Sequence, residues 1–169
     1  MMLAGRRTLR SGIALTALSV ALLALACGGP ELPVTWVASI DGRDTVPPGS
    51  VVRISVDARS ARGWYFYSVT QTAGGPVAAR IWLADSTTFR PAGAVSGSEP
   101  TRSFDETFGI DVEKYPGAAS FTLLVRVPRE TSGGAKEIRV NALYQACNDT
   151  VCLSPTTVTM TVPVTIESR

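Results

Sequence analysis

Hydrophobic and polar residues alternate along several stretches of the chain, with the period of two that is typical of half-buried β-strands. Val52, Ile54 and Val56 alternate with polar residues, and residues 138–144 repeat that pattern. In residues 157–166 apolar side chains alternate mainly with threonines. Three further stretches are rich in apolar, aromatic or β-branched residues and predict additional strands: 64–69, 78–83 and 121–127. With about seven short strands and no convincing amphipathic helix, the sequence predicts an all-β fold, an antiparallel β-sandwich.

Clusters of glycine, proline and serine separate the predicted strands at residues 47–49, 74–76 and 132–134. Pro163 falls on the outer face of the last strand and predicts an edge or a bulge there. Residues 85–117 contain glycine, proline, serine and charged residues with little strand pattern. Because long irregular loops in compact domains are usually functional, we expect a functional loop in this interval.

Composition excludes several classes of function. The 169 residues are 45% hydrophobic, which is enough for one domain with its own core. The chain has no histidine, which removes Ser-His-Asp and Cys-His catalysis and histidine-containing zinc sites. Of the three cysteines, Cys27 lies in the N-terminal segment described below. The remaining two cannot form a four-thiolate zinc site within one chain. We therefore expect neither a metal nor a cofactor.

The N-terminal residues resemble a bacterial export signal. Arg6, Arg7 and Arg10 precede an apolar run at 13–26 that is too short to span a membrane comfortably. Removing these three from the 16 basic residues leaves 13 against 14 acidic residues, a net charge of −1. No clustered basic face is evident, so a nucleic-acid partner is not expected.

The apolar run ends in a sequence that resembles the lipobox of bacterial lipoproteins: Leu23-Ala24-Leu25-Ala26-Cys27. On this hypothesis residues 1–26 are a lipoprotein signal peptide, 27–33 a tether and 34–169 the folded domain. Cys27 would carry the lipid. By resemblance to the sorting rules of bacterial lipoproteins, Gly28 rather than an aspartate after this cysteine favours an anchor in the outer membrane, facing the periplasm. The alternative is an ordinary signal peptide cut nearby.

Cys147 and Cys152 lie between the strands predicted at 138–144 and 157–166. In an oxidising compartment they pair with each other or with a partner protein. A loop this short restrains the unfolded chain by only about 2 kcal/mol, so such a bond suits redox chemistry better than stabilisation of the fold. The loop lacks a helix N-terminus, and Asp149 disfavours a thiolate. The pair is thus expected to be passive, and to be attacked by the activated thiol of a partner.

Three stretches together resemble the N-terminal periplasmic domain of the thiol:disulfide interchange protein DsbD, an immunoglobulin-like reductase module. The resemblance covers roughly residues 50–166. One stretch matches the family's active-site loop, and Cys152 and Pro155 follow it: Tyr144-Gln145-Ala146-Cys147. A second stretch matches its aromatic strand: Gly63-Trp64-Tyr65-Phe66-Tyr67-Ser68. The third stretch matches its cap loop: Phe104-Asp105-Glu106-Thr107-Phe108-Gly109.

The resemblance implies a protein-disulfide reductase-like activity that relays electrons through a reversible Cys147–Cys152 disulfide. Cys152 would form the mixed disulfide with partners, and Cys147 would resolve it. The implied partners are thioredoxin-fold proteins and a membrane electron transporter of the DsbD or CcdA type. Further site residues implied by the match are two acids near the sulfurs, two shielding residues and two lining tyrosines: Asp105, Glu106, Thr107, Phe108, Tyr65 and Tyr67.

The chain also departs from the family pattern. Four residues separate the cysteines, where the best-known members have five, and Thr107 stands where an aromatic residue is common. The transmembrane domain and the C-terminal thioredoxin domain of the family are not found in this sequence, so we expect a stand-alone lipoprotein that depends on separate partners, or one that has lost the activity. The competing hypothesis is a β-sandwich envelope lipoprotein with a structural disulfide and a binding or scaffolding role. Of the four aromatics at 64–67, alternation predicts two in the core and two elsewhere.

Overall fold

The computed structural model describes residues 32–85 and 87–168, so the predicted signal peptide, Cys27 and most of the tether lie outside the described residues. All regular elements of the described residues are β-strands, and no helix there is long and apolar enough to cross a membrane. The strands are β1 Val34–Ile40, β2 Thr45–Val46, β3 Val51–Ser60, β4 Tyr65–Tyr67, β5 Arg80–Leu83, β6 Arg90–Pro91, β7 Ser96–Gly97, β8 Thr101–Asp105, β9 Ile110–Tyr115, β10 Ala118–Arg126, β11 Gly134–Tyr144, β12 Ala146–Cys147 and β13 Thr156–Ile166.

The strands form three sheets. The first has the order β1-β3-β10-β6, with β7 also paired to β10, and the second has the order β2-β13-β11-β5. The third, smaller sheet has the order β12-β4-β9-β8. Every pairing is antiparallel except that of β2 with β13. The predicted antiparallel β-sandwich is confirmed, with this one parallel pairing added.

Alternation of apolar and polar residues explains how the first two sheets enclose the main core. Along β3 every second residue is buried, and β11 and β13 pair over eleven residues with their apolar positions facing inward. Burying such side chains stabilises the fold by about 1.5–3 kcal/mol each. Central members of the core come from four strands: Ile54, Val56, Leu123, Val125, Ile138, Val140, Met160 and Val162.

Pro163 is exposed on β13, opposite Glu137 of β11. On the other edge of β13, β2 pairs only with Thr165 and Ile166. The proline therefore lies where β13 has no second named partner strand among the described residues, as predicted for an edge position.

The expectation of a long irregular segment at 85–117 is wrong, because four strands, β6 to β9, fall within it. Two of them, β8 and β9, form an antiparallel hairpin in the third sheet. Only Val112 and Tyr115 of this hairpin are buried. The hairpin therefore lacks the apolar alternation by which the other strands were predicted, although its tip still forms a loop.

The start of β1 is fixed near the end of β11. Val34 is buried, and its carbonyl oxygen accepts a hydrogen bond from the Tyr144 hydroxyl at 3.3 Å. The preceding Pro33 carbonyl accepts a hydrogen bond from the Ala61 amide at 2.7 Å. These bonds place the beginning of the sandwich beside the strand that leads into the cysteine pair.

Candidate functional site

Cys147 and Cys152 form a disulfide, with an S–S distance of 2.04 Å. Their Cα atoms are 4.0 Å apart, and the two residues face each other as an isolated antiparallel bridge. Cys147 is also paired with Tyr65 across β12 and β4. The third sheet therefore positions one cysteine, and a short hairpin folds the other back onto it.

Hydrogen bonds close this hairpin on both sides of the disulfide. The Asn148 amide donates to the Val151 carbonyl at 2.9 Å, and the Leu153 amide donates to the Ala146 carbonyl at 2.8 Å. The Asn148 side-chain oxygen accepts hydrogen bonds from the amides of Thr150 and Val151, both at 2.8 Å. This local side-chain bonding is how asparagine stabilises a turn that contains no glycine.

Gln145 holds the exit of the hairpin. Its side-chain nitrogen donates to the Leu153 carbonyl at 3.1 Å, and its side-chain oxygen accepts from the Val77 amide at 3.3 Å. The sequence motif included Gln145, but its role in joining the hairpin to the loop before β5 was not predicted. The available signal was a polar residue directly between the predicted strand at 138–144 and the cysteine motif.

The two sulfur-bearing residues have opposite environments. Cys147 is 0% exposed and packs in a small cluster with Tyr67 and Val112, against which Tyr65 and Ile110 also pack. We call this group the cysteine cluster. Cys152 is exposed. Of the two cysteines, only Cys152 is therefore accessible from solvent, whereas Cys147 is covered.

Cys152 opens into a cavity of about 420 Å³ between the hairpin and the tip of the β8–β9 hairpin, residues 105–109, which we call the cap tip. Every site residue predicted from the sequence apart from Cys147 and Cys27 lines this cavity. Cys147 packs behind it, and Cys27 lies outside the described residues. The shielding, proton-transfer and lining roles of these residues stay predictions. The predicted residues present are Tyr65, Tyr67, Asp105, Glu106, Thr107, Phe108 and Cys152.

Asp105 organises the cap tip. Its carboxylate accepts hydrogen bonds from the amides of Thr107, at 2.9 Å, and Phe108, at 3.3 Å. Its carbonyl accepts from the amide of Gly109, whose φ of +67° lies in the left-handed region that favours glycine. One oxygen of the Asp105 carboxylate is thus committed to the turn. Phe108 is 38% exposed, and the cap tip leaves Cys152 exposed in this structure.

The aromatic strand β4 divides its side chains between two environments. Phe66 is buried in the main core, against which Trp64 packs, while Tyr65 and Tyr67 belong to the cysteine cluster. Of the two aromatics predicted to lie in the core, Phe66 is buried there, while Trp64 is only partly buried against it. The Tyr65 and Tyr67 rings meet edge to face at 5.6 Å between centroids.

The two tyrosines are fixed by further contacts. The Tyr65 hydroxyl donates to the Asn148 carbonyl at 3.4 Å, and the Lys114 ammonium lies 4.6 Å from the centre of the Tyr65 ring. Burial raises the pKa of Tyr67 well above its usual value, and a hydrogen bond with Tyr65 and the nearby charge of Asp105 act in the same direction. Tyr67 therefore stays neutral. Lys114 was not predicted as a site residue.

The cavity residues include acids, but the described residues contain no group of three or more histidine, cysteine or carboxylate side chains placed to hold a metal ion. The chemistry that this arrangement supports is exchange at the disulfide.

The family model for the N-terminal region of the thiol:disulfide interchange protein DsbD matches residues 41–163. The chain belongs to this family. The resemblance inferred from the cysteine, aromatic and cap stretches is therefore confirmed, as is the all-β immunoglobulin-like fold of the DsbD N-terminal domains. A comparison with curated proteins found no match.

Two solved structures illustrate the likeness. The Neisseria meningitidis DsbD N-terminal domain in the reduced form is 19% identical with a TM-score of 0.49, covering 77% of this chain and 86% of that one. The N-terminal periplasmic domain of ScsB from Proteus mirabilis is 19% identical with a TM-score of 0.45, covering 76% of this chain. The match spans 44% of the ScsB chain, so this chain corresponds to less than half of it.

Proposed function

We propose that this DsbD N-terminal family protein is a periplasmic thiol–disulfide exchange module. It relays electrons between thioredoxin-fold partners through a reversible Cys147–Cys152 disulfide. The observation that carries the proposal is the asymmetry of the pair, since Cys152 is exposed in an open cavity and Cys147 is completely buried. Such an arrangement gives a partner access to one sulfur and keeps the other in place to resolve the intermediate.

The first step is attack of a partner thiolate on the sulfur of Cys152. A bond forms between the partner sulfur and Cys152, and the Cys147–Cys152 bond breaks. Cys147 leaves with the bonding electron pair and takes up a proton, because the apolar cysteine cluster disfavours a charged sulfur. The product is a mixed disulfide between the partner and Cys152.

The second step releases the partner. Its second thiol, as the thiolate, attacks the partner sulfur of the mixed disulfide and displaces Cys152, which also takes up a proton. Two electrons and two protons have then passed from the partner dithiol to the cysteine pair. In the opposite direction, the Cys152 thiolate attacks an oxidised target and Cys147 displaces the target thiol from the mixed disulfide.

The proposed location follows from the leader sequence. Residues 1–26 would be removed, and Cys27 would carry a lipid anchor in the outer membrane, joined to the domain at 34–169 by the tether at 27–33. A membrane electron transporter of the DsbD or CcdA type would be the ultimate electron source. The wild type should incorporate radiolabelled palmitate in cells and a Cys27→Ser variant should not, and equal labelling of the two, or no labelling of the wild type, would remove the anchor from the proposal.

The exchange function is tested by trapping the intermediate. Cys147→Ala removes the resolving sulfur, so the Cys152 mixed disulfide should accumulate in cells and be identified by mass spectrometry as an adduct with a thioredoxin-fold protein. The matched Cys152→Ala variant keeps only the buried Cys147 and should give no adduct. Absence of an adduct with Cys147→Ala, or equal trapping by both variants, would overturn the proposed roles.

A further inference from the structure

The charges on the wall of the cavity beside Cys152 are unequal in sign. Three carboxylates line it, from Asp105 and Glu106 of the cap tip and Asp149 of the hairpin. Lys114 is the one basic residue among the described residues that line it. With these groups ionised, the cavity carries a net charge of −2.

The four charged groups are engaged differently. The Asp105 carboxylate binds amides of its own turn, and the Lys114 ammonium rests on the Tyr65 ring. Glu106 and Asp149 are exposed, one at the cap tip and one at the tip of the disulfide hairpin. In the part of the chain that the structure describes, neither forms an ion pair. The two tips thus present unneutralised negative charge on opposite sides of the entrance.

Apolar side chains stand around the same entrance. Phe104 is 63% exposed, Val151 49% and Phe108 38%, and all three line the cavity. Exposed apolar side chains of this size beside a reactive group are typical of a protein contact surface. The surface around Cys152 therefore combines exposed apolar side chains with three carboxylates, those of Asp105, Glu106 and Asp149, which we call the acidic rim.

We infer that this rim selects partners that bring positive charge to Cys152: thioredoxin-fold proteins with lysine or arginine beside the attacking cysteine. The inference deepens the proposed exchange function and rests on it. The attacking sulfur is an anion, so a net negative cavity opposes its approach, and a cationic neighbour on the partner offsets that repulsion. At separations of about 8–10 Å in water, the effect amounts to roughly two- to fivefold in rate per unit of charge at low salt, less at physiological salt.

Small thiols of different charge test this without requiring the physiological partner. Cysteamine, 2-mercaptoethanol and 3-mercaptopropionate form thiolates with net charges of 0, −1 and −2 at neutral pH. Their rate constants for reducing the disulfide of the purified full-length protein are measured at low ionic strength and corrected for thiol basicity. We expect the order cysteamine, mercaptoethanol, mercaptopropionate, with the spread shrinking as salt is added.

Substitutions of the charged cavity residues test whether the acidic rim causes this order of rate constants. Glu106→Gln combined with Asp149→Asn should flatten the series, while Lys114→Gln should steepen it. The matched control, Glu137→Gln, removes an exposed acid of β11 that does not line the cavity and should leave the series unchanged. A series with no charge order, or an order that the double variant leaves intact, would overturn the inference.

Failure of this inference and failure of the exchange function give different results. If all three thiols reduce the disulfide at similar corrected rates and the Cys147→Ala adduct still forms, only the charge selection fails. If the folded protein resists every thiol and no adduct forms, the exchange function itself fails.

Discussion

Tyr65 of β4 is paired directly with Cys147 of β12, and its hydroxyl donates to the carbonyl of the next residue, Asn148, at 3.4 Å. The same strand pairs on its other edge with β9, the second strand of the hairpin that carries the cap tip. Both walls of the cavity are therefore attached to one three-residue strand. The relative position of cap tip and disulfide depends on β4 rather than on the long sheets of the sandwich.

Reduction of the disulfide should leave the domain folded. The bond closes a loop of about six residues, for which chain entropy predicts roughly 2 kcal/mol of stabilisation. For a domain of this size the melting temperature should fall by roughly 5–10 °C in a reductant, measured by calorimetry with and without it. Unfolding of the reduced protein at 25 °C would instead identify the disulfide as structural and favour the envelope-scaffold hypothesis.

Asn148→Ala should loosen the hairpin tip. The change removes the acceptor for the amides of Thr150 and Val151, each of which contributes about 1 kcal/mol when bonded. Hydrogen exchange of these two amides should accelerate about five- to tenfold. Asn148→Asp keeps a side-chain acceptor and serves as the control, since it should retain most of the protection. Equal exchange in the wild type and the alanine variant would contradict the turn assignment.

Phe108→Ala tests the predicted shielding by the cap tip. If the ring restricts access to Cys152, its loss should accelerate reduction by 2-mercaptoethanol by roughly two- to fivefold, an effect of about 0.4–1 kcal/mol on the barrier. Phe104→Ala is the matched control, because Phe104 lines the same cavity but is far more exposed. An unchanged rate, or equal acceleration by both variants, would remove the shielding role from Phe108 without affecting the fold.

Alkaline pH should destabilise the protein through Tyr67. Its pKa is raised in the native state, chiefly by burial, whereas a tyrosine in the unfolded chain ionises near pH 10. Above that pH the unfolded state releases a proton that the native state keeps, so stability falls as pH rises, by at most about 1.4 kcal/mol per pH unit.

Urea unfolding at pH 8 and pH 10.5 measures this decline. Tyr67→Phe should show a shallower loss of stability between the two values than the wild type. A residual decline is expected, because burial also raises the pKa of Tyr144. Identical declines in wild type and Tyr67→Phe would show that Tyr67 is not the responsible group.

Apolar alternation predicted the strands whose one face meets the main core. β3, β11 and β13 were recognised because each buries every second residue over much of its length. The β8–β9 hairpin was missed for the converse reason. Its two strands pair with each other, but they bury only Val112 and Tyr115 and so show no apolar alternation. Hydrophobic periodicity in a sequence reflects the burial of one strand face, so a strand with few buried residues cannot be recognised from it.

The site shows a similar division. The cysteines and the tyrosines of β4 were found from their spacing and from family resemblance. Lys114 was not, because its proximity to Tyr65 arises from pairing between strands about 50 residues apart, in which Lys114 lies opposite Tyr67. The turn-forming bonds of Asn148 and Asp105 were also missed, since either residue type is common in loops whether or not it caps a turn.

The bond from Tyr144 to Val34 has a consequence for orientation. Chain that precedes residue 34 joins the sandwich at the pole where the disulfide hairpin begins. With a lipid at Cys27, six intervening residues would span at most about 20 Å. The exchange site would then turn toward the bilayer that holds the anchor, and bulky soluble targets would have to enter from the side.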